Sequence, residues 1–116
     1  MVSVKKVFAA SMGVKGITLK EFSRVYEKVE ALGVRMSRRR YVKVAVMYAI
    51  EGMGKQVFAA EHVRDAANEV LNTRLHINVH EAASVIGMFC RKGYLELVDD
   101  RRSSNHRSTW RVASQP

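Results

Sequence analysis

Polar and apolar residues alternate along the chain in a way that predicts helices first and a hairpin last. Thr18-Leu19-Lys20-Glu21 has the form of a capping box, in which the threonine hydroxyl satisfies an early amide and the glutamate reaches back. Leu19, Phe22, Tyr26 and Val29 follow at spacings of three and four, with Val25 and Leu32 widening the stripe, and Gly33 supplies the stop. Ser37 can cap a second helix running to about Glu51. Its centre, Tyr41 to Ile50, is apolar on nearly every side, as expected of a helix buried by several neighbours. Gly52 and Gly54 end it, and Gln56-Val57-Phe58 reads as a short strand.

A third helix is expected over Ala60 to Leu71, with Val63, Ala66, Ala67, Val70 and Leu71 on one face. In the link that follows, Leu75 and Ile77 are expected to tuck inward. Asn78 opens a last helix with Glu81 three residues on, a second capping box. Ala82, Val85, Ile86, Phe89 and Cys90 form its inward stripe, whereas His80, Ser84, Gly87, Met88 and Arg91 fall outward. After Gly93 comes an apolar strand, Tyr94 to Val98. A polar tip spans Asp99 to Ser108, and Thr109-Trp110-Arg111-Val112 returns, with Trp110 and Tyr94 packing under the hairpin.

This order resembles the winged helix-turn-helix superfamily over about Ser37 to Ala113. The resemblance is sharpest at Val85-Ile86-Gly87-Met88-Phe89-Cys90-Arg91-Lys92-Gly93-Tyr94-Leu95-Glu96, where an apolar helix end meets a Lys-Gly pair and a strand begins at once. It implies an α+β fold: a three-helix core, a C-terminal β-hairpin wing and an N-terminal helical extension. The expected organisation is extension 1–36, winged-helix domain 37–113 and tail 114–116. The superfamily implies DNA binding of the small transcriptional-regulator type, although the same fold also serves in protein contacts and on ribosomes.

Composition narrows the partners. The chain has 116 residues, enough for one domain, and its 47% hydrophobic content is that of a folded protein. Twenty Lys and Arg against eleven Asp and Glu give a net charge of +9, which attracts polyanions, nucleic acid foremost. A single cysteine, Cys90, cannot form an internal disulfide and is expected as a buried thiol, consistent with a reducing, intracellular (cytoplasmic or nucleoid) setting. His62, His76, His80 and His106 lack metal-ligand spacing, so neither a metal nor a cofactor is expected. No apolar run reaches the ~20 residues needed to span a bilayer. A glycine-rich phosphate loop, a Ser-His-Asp arrangement and paired catalytic carboxylates are all missing from the sequence, so no enzyme is expected.

The residues expected at the interface fall into three groups. Arg38, Arg39, Arg40 and Lys43 form the densest basic cluster, at a helix start where the dipole disfavours cations. This invites either phosphate or an acid of the preceding helix such as Glu27 or Glu30. Arg101, Arg102 and Arg107 sit in the wing tip, from which arginine can enter a minor groove or follow phosphates. If the resemblance holds, Asn78, His80, Glu81 and Ser84 face base edges, with Arg91 farther along. No arginine near the helix start can grip guanine, so sequence reading is expected to be modest.

The expected partner is double-stranded DNA, with RNA or a protein partner as alternatives and no membrane. The stripe Leu19, Phe22, Tyr26, Val29 has two destinations: packing within the subunit, or a homodimer interface.

Overall fold

The computed structural model describes residues 18–34, 36–54, 56–99 and 108–113, an α+β arrangement of four α-helices followed by a two-stranded antiparallel hairpin. The first part of the expected extension, the wing tip with Arg101, Arg102 and Arg107, and the expected tail 114–116 lie outside the described residues.

Helix α1 is Leu19–Ala31, and Thr18 Oγ1 accepts from the Glu21 amide at its start. Leu19, Phe22 and Tyr26 are buried inside the subunit. Phe22 and Tyr26 stack at 5.7 Å, and Tyr26 stacks on Tyr41 at 5.1 Å, so an aromatic cluster joins α1 to the next helix. Of its two destinations, the stripe therefore takes the one within the chain. Val29 is half-buried, while Val25 and Leu32 are exposed.

Helix α2, Arg38–Met53, is the hub. Ser37 Oγ accepts from the Arg40 amide, and every residue from Tyr41 to Ile50 except Lys43 is buried. The helix runs two residues past the expected end, through Gly52, and stops at Gly54, whose φ of 65° suits a residue without Cβ.

Helix α3, Ala60–Val70, lacks a Ser, Thr, Asp or Asn cap, and His62 Nδ1 instead accepts from the Ala59 amide at 3.0 Å. Val63 and Ala67 are fully covered, but Val70 is 41% exposed, contrary to the sequence expectation, because it falls at the frayed edge of the stripe. A 3₁₀ turn at Thr73–Leu75 follows. Leu75 and Ile77 do tuck inward, and the Asn68 side chain holds Ile77 by bonds to both its N–H and its C=O at 2.8 Å.

Helix α4, Val79–Arg91, carries the expected capping box. The Glu81 amide donates to Asn78 Oδ1 at 2.8 Å, and the Asn78 amide donates to Glu81 Oε1 at 3.0 Å. Ala82, Val85, Ile86 and Phe89 point into the core; Cys90, expected to be buried, is only half-covered because it sits at the stripe's edge. Strand β1, Leu95–Asp99, pairs with β2, Thr109–Val112, in the register Leu95 with Val112 and Leu97 with Trp110. Phe58 adds a one-residue antiparallel bridge to Trp110, with both backbone bonds at 2.8 Å. Trp110 and Tyr94 are half-buried against the core, whereas Leu97 and Val98 are 45% exposed.

Candidate nucleic-acid interface

The start of α2 lies beside the outward face of α4, and the two helices are fastened by one cation. Arg38 Nε donates to Glu81 Oε2 at 2.8 Å, and its Nη2 donates to Glu81 Oε1 at 2.9 Å and to the His76 carbonyl at 2.7 Å. The guanidinium also lies 5.6 Å from the centroid of the Tyr41 ring. Tyr41 in turn donates its hydroxyl to the Leu75 carbonyl at 2.7 Å. Its phenol is pushed up to about 12, chiefly by burial. The bond from Arg38 is the main reason that the Glu81 carboxyl is held below the usual glutamate range. Glu81 thus caps its own helix and binds α2.

This geometry redistributes the sequence-predicted residues. Arg38 is a strut within the fold, with its charge matched by Glu81 instead of standing free beside Arg39 and Arg40. Glu30, considered as a partner for the basic cluster, pairs with Arg74 on the turn before α4. Asn78 and Glu81, expected to face bases, are engaged in the cap. His80 and Ser84 are exposed with the small Ala83 between them, and the Arg91 guanidinium lies over Gly87, 3.5 Å from where a Cβ would stand.

The structure brings Arg39, Arg40 and Lys43 of α2 together with Ser84, Met88 and Arg91 of α4 around one cleft of about 480 Å³, with Ser37 at its rim and Val85 on its floor. Among the described residues, no acidic side chain lines it. The Lys43 ammonium is pushed below the ordinary lysine range, first by partial burial and then by the charges of Lys92, Arg40 and Arg39. The cations therefore crowd one another, and an anion placed among them would relieve that repulsion.

Sequence reading did not place Arg91 in the same cleft as Lys43, nor assign Ser37 and Met88 to the interface. The signal was present: Ser84, Met88 and Arg91 recur at four and three residues, which puts them on one side of a helix.

Among the described residues, no helix is long and apolar enough to cross a membrane, and no cluster of His, Cys, Asp and Glu could hold a metal ion. Comparisons with family models, curated proteins and solved structures return no match.

Proposed function

We propose that this chain is a winged helix-turn-helix protein that binds double-stranded DNA with modest sequence preference, as a small transcriptional regulator or nucleoid-type protein. The observation that carries the reading is the convergence of Arg39, Arg40, Lys43 and Arg91 beside the exposed face of α4, with no acidic side chain among the described residues lining the cleft. Two features of the fold support it. Phe58 bridges β2, so the pairing order is Phe58, β2, β1, a short strand joined to a hairpin as in winged domains. Helices α3 and α4, joined by the 3₁₀ turn, supply the helix-turn-helix step.

In this reading α4 enters the major groove with His80, Ala83, Ser84 and Gly87 leading, and the α2 cations take phosphates at the groove's edge. With Asn78 and Glu81 held by the cap, His80 and Ser84 remain as polar readers at the helix start. The wing arginines Arg101, Arg102 and Arg107 add phosphate or minor-groove contacts. Duplex RNA suits this geometry less well, because its deep, narrow major groove does not admit a helix.

The test is a titration against DNA and RNA duplexes of equal length and sequence across a salt series. The reading expects tighter binding to DNA, with log affinity falling linearly with log salt by about 0.9 per phosphate contact. Equal or tighter binding to RNA, or no saturable binding to DNA, would overturn it.

A further inference from the structure

We infer that the cleft between α2 and α4 is also a binding site for a nucleoside polyphosphate. Concavity, charge and lining lead to that ligand class. A phosphate on a duplex backbone needs only one or two donors on an open surface. This cleft, open to solvent along one side, has a volume of about 480 Å³, within the ~300–1,000 Å³ typical of small-molecule sites. Arg39, Arg40, Lys43 and Arg91 set four positive charges around it, and Ser37 and Ser84 bring two hydroxyls. That set is more than a single phosphate can satisfy and matches a chain of two or three.

The cleft is not uniformly polar. Met88, half-buried, and the small exposed part of Val85 add an apolar element to the lining beside the cations, against which a base can pack. The walls are also held in place: Arg38 joins the first turn of α2 to the first turn of α4 through Glu81. The same bond occupies Glu81, an acid near the start of α4, so it does not neutralise the cations. A ligand would therefore meet helices already fixed in place, and only the exposed side chains of Arg39, Arg40 and Arg91 would have to order around it.

The site shares Arg39, Arg40, Lys43 and Arg91 with the surface proposed for DNA, so a bound nucleotide would compete with the duplex. That consequence alone rests on the proposed function; the binding itself does not.

The experiment is calorimetric titration of the full chain with ATP, with inorganic tripolyphosphate and with adenosine, at about 150 mM salt. One ATP per chain is expected, with tripolyphosphate and adenosine each at least about tenfold weaker. Replacing Lys43 and Arg91 together by alanine should weaken ATP at least about tenfold, as should the separate pair Arg39→Ala with Arg40→Ala. Either pair serves if the other melts early. Lys20→Ala with Arg24→Ala removes equal charge from the exposed side of α1 and should leave ATP binding intact.

Absence of saturable ATP binding would overturn the inference. So would an equal loss in the α1 variant, which would show only diffuse attraction. Tripolyphosphate binding as tightly as ATP would overturn the nucleoside assignment. A chain that binds duplex but not ATP refutes this inference and leaves the DNA reading standing; one that binds ATP but not duplex does the reverse.

Discussion

Replacing Lys43 and Arg91 by alanine tests whether the cleft faces the duplex backbone. Both side chains line it, one from each helix, and neither belongs to the Arg38–Glu81 strut, so the fold should survive. Each phosphate contact releases condensed counterions and contributes about 0.9 to the slope of log affinity against log salt. Losing two contacts should therefore flatten the slope by about 1.8. Between about 50 and about 200 mM salt, a fourfold change, the parent should lose about twelvefold more affinity than the variant. That difference does not depend on how many contacts the wing adds, because both proteins keep the wing. Fluorescence anisotropy with a labelled duplex at five or six salt concentrations measures it directly. A variant whose line runs parallel to the parent's, merely displaced, would show that neither residue meets phosphate. The cleft would then face away from the DNA.

Three further outcomes test the architecture. Phe89→Ala should destabilise the fold by ~3–5 kcal/mol in chemical denaturation, because the ring is fully buried; a parental midpoint would mean that α4 is in the wrong register. Tyr48→Phe should raise stability by about 1 kcal/mol, because the buried Tyr48 hydroxyl has no hydrogen-bond partner among the described residues; a loss would reveal a bond not seen here. Glu81 has a depressed folded-state pKa, so its contribution is present above the ordinary glutamate range and is lost as pH falls through and below it. Melts of the parent and of Glu81→Gln should therefore converge in acid and separate toward neutral pH, and a constant gap would remove the carboxylate from the coupling.

The helices were legible because their signals are local. Thr18 with Glu21, Ser37, and Asn78 with Glu81 mark three starts; the Asn78 box forms in full, Ser37 caps, and Thr18 accepts from the Glu21 amide while the Glu21 carboxylate meets the Thr18 hydroxyl and not its backbone N–H. Phe58 was legible as a short strand, but its pairing with Trp110 spans more than fifty residues and leaves no periodicity. Ends were harder to read: α2 runs through the exposed Gly52 to Met53, because a single glycine weakens a helix by only about 1 kcal/mol and does not by itself stop one. The site was legible as charge and illegible as pairing. Arg38, Arg39 and Arg40 look alike in the sequence, yet successive residues on a helix are about a hundred degrees apart. Arg38 turns toward Glu81, and its two neighbours turn toward the cleft. Which acid a cation finds depends on helix packing, and so Glu30, on the helix before the cluster, went to Arg74 instead.

That difference among three adjacent arginines bears on why the cluster exists. A cation in the first turn of a helix opposes the macrodipole, at a cost of roughly 0.3–1 kcal/mol each. For Arg38 the fold supplies its own compensation: the carboxylate of Glu81, the His76 carbonyl and the face of Tyr41. Arg39, Arg40 and Lys43 line a cleft to which no described residue brings a carboxylate, and the Lys43 ammonium is already pushed below its ordinary range by partial burial and its neighbours. Folding alone therefore accounts for Arg38 and works against the other three, which would be better replaced by neutral residues. A neutralising Arg39→Gln, Arg40→Gln pair should accordingly melt no lower than the parent while losing affinity for polyanions. If it instead melts several degrees lower, those side chains serve the fold, and the case for an external anion at this cleft fails.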